Sequence, residues 1–115
     1  MERLKRRREF LRVAGAGRKC AAPGMVLQAC PLGLAATEGT GVRYGLTVSK
    51  KVGGAVVRNR VRRRLRVVAE TILPKHAEPG HDYVLIGRAA TVRRPFPALL
   101  DDLKVALRRV RAYRE

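Results

Sequence analysis

The chain is poor in acid. Its 115 residues hold nine Asp and Glu against twenty-six Lys and Arg, a net charge of +17. So one-sided a surface repels itself until a polyanion neutralises it, which puts nucleic acid first among partner classes and an anionic membrane surface second. Most of the cations are Arg, whose planar fork suits phosphate. Aromatics make up only 4% of the chain and Trp is missing. Cys20 and Cys30 are the only cysteines, with no Cys-x-x-Cys spacing and no His pair beside them. That argues against a zinc site or a disulfide framework and predicts two reduced thiols. No apolar run approaches the roughly 18 residues that span a bilayer. The basic start, Arg3 to Arg8, lacks the apolar core region of a secretory signal. A cytoplasmic protein without a membrane partner is expected.

Catalytic groups are equally scarce. His76 and His81, the only histidines, fall in a Pro- and Gly-bounded stretch that reads as a surface loop. There is no Gly-x-Ser-x-Gly elbow, and neither Cys has a base near it in sequence. Gly53-Gly54 lacks the Lys-Ser/Thr ending of a phosphate-cradling loop. Asp101-Asp102 opens the last predicted helix, where acids complement the helix dipole, so it is read as structural. No catalytic residue and no metal-ligating set is expected in the chain itself.

What is present is a stretch from Lys50 to Arg66 with eight basic residues and no acid. Spaced at about 100° per residue, Val57, Val61, Leu65, Val68 and Ile72 form one apolar stripe. Asn59, Arg62, Arg63 and Arg66 point to the opposite side, and Arg58, Arg60 and Arg64 flank the stripe. This is a helix docked by its valines and offering arginines to an anion. Like charges at i, i+4 (Arg58, Arg62, Arg66) cost a few tenths of a kcal/mol each without a partner, so a merely solvated face explains little.

At this length, and with 46% hydrophobic residues, the chain forms one globular domain spanning residues 1–115. A first helix is predicted from about Arg6 to Ala14, ended by Gly15 and Gly17 in the left-handed manner. Strands are predicted over 25–30, 42–48 and 82–87, with a loop from Pro31 to Gly41. Gly45 lets another backbone or a ligand approach closely. Gly53-Gly54 bends the chain into the arginine helix, about Ala55 to Leu73, which Pro74 stops. A last helix runs from about Ala98 to Tyr113, with Leu99, Leu103, Ala106, Val110 and Tyr113 on one face and Lys104, Arg108 and Arg111 on another. The fold class is α+β: an α/β sandwich whose small, mostly antiparallel sheet is covered by three helices. The order is α-β-β-(β)-α-β-α, with one strand possible in the glycine-rich middle.

Ser49-Lys50-Lys51-Val52-Gly53-Gly54-Ala55-Val56, followed by Arg58-Asn59-Arg60 and Arg62-Arg63, resembles the signature of the protein subunit of bacterial ribonuclease P. The flanks agree: Arg7 to Phe10 resembles the family's first helix, Tyr44 to Val48 its strand before the signature, and Asp82 to Arg88 its later strand. The resemblance implies a ribosomal-protein-like fold with a left-handed strand–helix–strand crossover, against the usual hand. It implies a subunit of an endoribonuclease that removes the 5′ leader of precursor tRNA, with the catalytic centre and its Mg²⁺ held mainly by the RNA partner and the substrate. The implied partners are the catalytic RNA subunit and precursor tRNA, with no protein partner required. By match, Arg58, Asn59, Arg60, Arg62, Arg63 and Arg66 face the RNA subunit. Phe10, Lys50, Lys51 and Arg88 face the leader, which needs stacking and charge in place of base readout. Ala14 and Gln28 stand where the family often has aromatics, and Gly54 where it is often polar. The rival from another class is a structural RNA-binding module such as a small ribosomal protein. A DNA-binding module is weaker, because no short helix and tight turn precede the arginine helix.

Overall fold

The structure is a computed structural model that describes residues 1–31 and 41–115. The predicted loop between Pro31 and Gly41 falls almost wholly outside the described residues. Five strands form one sheet: β1 (Glu2–Arg3), β2 (Arg18–Ala22), β3 (Met25–Pro31), β4 (Val42–Thr47) and β5 (His81–Gly87), in the order β1-β4-β5-β3-β2. The helices are α1 (Arg7–Ala16), α2 (Ala55–His76) and α3 (Phe96–Arg109). β1 runs parallel to β4 and β4 to β5, whereas β3 is antiparallel to both β5 and β2. The sheet is therefore mixed, not mostly antiparallel as expected. Its two unforeseen strands lie early in the chain. β1 is only two residues long, and β2 has no alternation to show it, because its burial comes from pairing with β3 through the Pro23-Gly24 turn.

Strand alternation sends side chains to two different layers. Met25, Leu27, Ala29, Tyr44, Tyr83 and Leu85 face α2 and α3, meeting Val61, Leu65, Val68 and Ile72 from one helix and Leu99, Leu103, Ala106 and Leu107 from the other. The predicted stripe of α2 is thus its core face, with Val57 at the margin. On the other side of the sheet, Cys30 and Val84 pack with Leu4 and Val13, with Phe10 and Ile86 at the edge. This second core is small because a single helix covers it. β5, central in the sheet, is apolar on both faces apart from His81 at its start and Asp82, which is fully buried.

Helix ends differ from expectation in instructive ways. α1 passes through Gly15 and stops at Gly17, whose φ of −89° is not left-handed. Glycine is required there by contact: a Cβ would sit 2.5 Å from the carbonyl oxygens of Ala29 and Val13. α2 continues through Pro74 to His76. In the exposed last turn the proline forfeits one helical hydrogen bond, and Leu73 still accepts the N–H of Ala77 at 3.1 Å. α3 begins earlier than expected, with Pro97 in its first turn, where a missing N–H is harmless. It ends at Arg109, because Arg111 turns left-handed at φ 60° and the chain doubles back. Tyr113, expected on the helix face, instead bridges Ala77 in an antiparallel pair. The histidines are not loop residues: His76 closes α2 and stacks on Tyr113, and His81 opens β5 and stacks on Tyr83.

Candidate nucleic-acid interface

α1 crosses the strands instead of running along them. The ring of Phe10 lies over Gly45 of β4, so close that a Cβ there would be 2.5 Å from the ring. One turn on, Val13 packs with Val84 of β5 and Cys30 of β3, and Gly17 abuts Ala29. Gly45 therefore admits a side chain of the same protein, not the backbone or ligand expected from the sequence.

This crossbar divides the sheet face into two ends. One end, the row Arg43–Asp82–Cys30, is closed by ion pairs. Arg43 donates Nε and Nη2 to the two oxygens of Asp82 at 2.7 and 2.6 Å, and Arg12 donates Nη2 to the same carboxylate at 2.6 Å. Arg43 also reaches Glu9 at 3.0 Å. The other oxygen of Glu9 accepts the N–H groups of Arg6 and Lys5, capping the start of α1. Those two backbone bonds, with Arg43 adding to them, hold the Glu9 carboxyl below its ordinary pKa, while the Asp82 bond raises that of Arg43. Sequence reading missed this cluster entirely.

The other end stays open. Thr47, Ile86 and Val26 are register neighbours across β4, β5 and β3, exposed or half-buried, with Gln28 and the half-buried Phe10 beside them. Just past the ends of β4 and β5 come exposed Lys50 and Lys51 on one strand's exit and exposed Arg88 on the other's. Arg88 is fixed on both sides: its N–H donates to Thr91 Oγ1 at 2.9 Å and its Nη1 to the carbonyl of Ala22 at 2.7 Å. Thr91 donates in turn to the carbonyl of Gly24, whose N–H reaches Asp102. Asp102 also accepts Arg94 Nη2 at 2.9 Å, so it clamps the turn before α3 to the β2–β3 hairpin, a stronger reason for an acid there than the helix dipole. A trough whose floor mixes Ile86 and Val26 with Thr47 and Gln28, and whose rim is cationic, can hold an extended anionic strand.

α2 starts at the same end. Gly53, at φ 157° and with Val57 2.9 Å from where a Cβ would be, makes the bend that only glycine can. Val61 lies against Gly87 at the end of β5, which seats the helix over the strand exits. Asn59, Arg60, Arg63 and Arg66 are exposed, and Arg58 and Arg62 half-buried. Val56, Asn59, Arg62 and Arg63 line a shallow open depression, with Arg62 Nη1 bonded to Asn59 Oδ1 at 3.1 Å. Val56 is 83% exposed, an apolar contact point that a charge-based reading passes over. Arg64 is spent on structure, donating to the carbonyl of Arg94. Glu70, the one acid of α2, holds Arg66 at 3.3 Å and accepts the Tyr44 hydroxyl at 2.5 Å. Burial, then this bond, pushes the Tyr44 pKa up to about 12, so Tyr44 remains the donor at neutral pH. The residues matched to the RNA subunit thus lie on one helix, Asn59, Arg62, Arg63 and Arg66 on its outer face and Arg58 and Arg60 on its flanks, and those matched to the leader ring the open end of the sheet.

The carboxylates do not make a cation site. Glu9, Asp82, Asp102 and Glu70 are each engaged by an arginine, and no group of three or more metal-ligating side chains converges among the described residues. Both cysteines are free, Cys30 buried beside Arg12. Among the described residues, no helix is long and apolar enough to cross a membrane.

A mixed sheet with helices on both faces and a net charge of +17 defines a small, strongly basic α+β protein. The chain belongs to the ribonuclease P protein family: the family model described as Ribonuclease P matches residues 1–111. It is 53% identical over 112 residues to the ribonuclease P protein component of Paramagnetospirillum magneticum, covering 97% of this chain and 84% of the relative. With that of Ruegeria pomeroyi the identity is 51% over 110 residues, covering 95% and 86%. The fold superposes on the Staphylococcus aureus RNase P protein with a TM-score of 0.79 over 99% of both chains, at 24% identity. The Thermotoga maritima RNase P protein gives 0.73 over 96% of each, at 25% identity. These likenesses favour the ribonuclease P reading over the ribosomal-protein and DNA-binding alternatives.

Proposed function

We propose that this protein acts in tRNA 5′ maturation, in the cytoplasm, as the non-catalytic half of a ribonucleoprotein. Arg58, Asn59, Arg60, Arg62, Arg63 and Arg66 dock on the phosphates of the catalytic RNA subunit. Phe10, Lys50, Lys51 and Arg88 hold the single-stranded 5′ leader of precursor tRNA along the open row of the sheet. The observation that carries this reading is the meeting, at one end of the molecule, of an open trough and a helix face free of acid up to Glu70. With Ala14 exposed on α1 and Gln28 on the trough floor, Phe10 is the one aromatic of the trough, so charge supplies most of the grip.

Cleavage chemistry and the Mg²⁺ that supports it belong, in this reading, to the RNA and the substrate. The protein's cations screen phosphate repulsion between them, which lowers the Mg²⁺ requirement. The test is leader release from precursor tRNA by the matching catalytic RNA at low Mg²⁺, with and without the protein. Acceleration by the protein is expected; an unchanged rate would sink the reading.

A further inference from the structure

We infer that the far end of α2, joined to the C-terminal turn of the chain, is a second contact for the phosphate backbone of the RNA subunit. This rests on the RNA-docking reading of α2. The Tyr113 ring meets two partners there, with His76 stacked on it at 5.1 Å and 6° and the Arg108 guanidinium over it at 4.3 Å. The stack is held by the backbone, since Arg114 N–H donates to the His76 carbonyl at 2.6 Å and Glu78 N–H to that of Ala112 at 2.8 Å. Lys75, Arg108 and Arg111 are exposed around it, with Lys104 half-buried one turn before Arg108. None of these cations forms an ion pair among the described residues, although Glu78 and Glu115 lie close along the chain.

A fixed stack of planar groups among unpaired cations presents donors at set positions, as a phosphate backbone requires, and reads no sequence. The trough and the arginine signature do not use it. From Asn59 to His76 is seventeen residue steps, about 25 Å at 1.5 Å per residue, so α2 sets a fixed separation between its arginine face and the patch that Lys75 shares with α3 and the C-terminal turn. That geometry suits a large folded RNA offering two strands at fixed separation better than a flexible leader.

The experiment compares RNA-subunit binding across KCl concentrations for three proteins: wild type, Lys104→Gln/Arg108→Gln/Arg111→Asn, and Arg62→Ala/Arg63→Ala/Arg66→Ala. Each triple should lower the slope of log K against log salt by about two to three, at a little under one for each phosphate left without its cation. Hydroxyl-radical footprinting of the RNA by the wild-type protein should show two protected backbone segments, and the C-terminal triple should abolish one of them. If the α2 triple changes slope and footprint and the C-terminal triple changes neither, the second contact is refuted while the docking reading stands. If neither triple changes the slope, the docking reading fails and takes the inference with it. Weakened binding of precursor tRNA alone, with RNA-subunit binding intact, also overturns the assignment. Should the C-terminal triple not fold, the wild-type footprint decides: a single protected segment refutes the inference.

Discussion

Arg12, Arg43 and Arg94 end on carboxylates that are buried or nearly so, whereas Arg60 and Arg63 have no acid within ion-pair distance among the described residues. The first group closes one end of the α1 face and pins the turn before α3. The second stands on the outer face of α2, free to meet phosphate. The same side chain is a fastener where the fold brings a buried acid to it, and a docking group where no acid is near or, as for Arg66, where its acid is the exposed Glu70. Nine acids are too few to quench the surface, and at least four of them, Glu9, Glu70, Asp82 and Asp102, are committed to arginines.

Breaking a fastener should have the largest effect. Asp82→Asn leaves Arg12 and Arg43 without their shared charge and should cost about 3 kcal/mol, the low end for a broken buried pair because both arginines partly reach water. Urea unfolding measures the loss. Provided the variant folds, its RNA-binding salt slope should match wild type, and a flattened slope would mean that fasteners also dock. Removing docking groups should do the reverse. Arg62→Ala/Arg63→Ala/Arg66→Ala should flatten that slope by about two to three, while the thermal midpoint hardly moves; a large drop in midpoint would erase the distinction.

The smallest effect should come from Glu9, in pH dependence. Its carboxyl is held below the ordinary value of 4.5 by the N–H groups of Arg6 and Lys5 and by Arg43. A depressed carboxyl stabilises the fold fully above its unfolded pKa and loses that contribution as pH falls through the folded value. Wild type should therefore melt higher than Glu9→Gln at pH 6, and the gap should close below about pH 4.5. A gap that stays constant down to pH 3 would show that it does not come from ionisation of Glu9.

Legibility in the sequence follows the same division. The arginine helix can be read because its signal is local: valines and leucines at helical spacing on one side, and unrelieved positive charge on the other. β4 and β5 show for similar reasons, by alternation and by a continuous apolar run. The fasteners are hidden because the partners of Asp82 lie 39 and 70 residues away, distances over which no periodicity carries information. β1 and β2 are hidden because their pairing partners, not their own residues, make them strands. The helix ends slip where tertiary contact overrides local rules, as when the left-handed Arg111 turns Tyr113 back onto Ala77. At the candidate interface, the signature and its flanks point to the residues, but the crossbar that opens one end of the sheet and closes the other needs the fold.

The seat of Phe10 on Gly45 ties two positions into one choice. The ring fits only because residue 45 has no side chain, and the rim of the trough keeps its aromatic only while that remains so. Relatives of this chain should therefore vary the two sites together. An alanine or serine at 45 should be found with a smaller residue at 10, and such proteins should carry their stacking group elsewhere on the trough, for instance where this chain has Ala14 or Gln28.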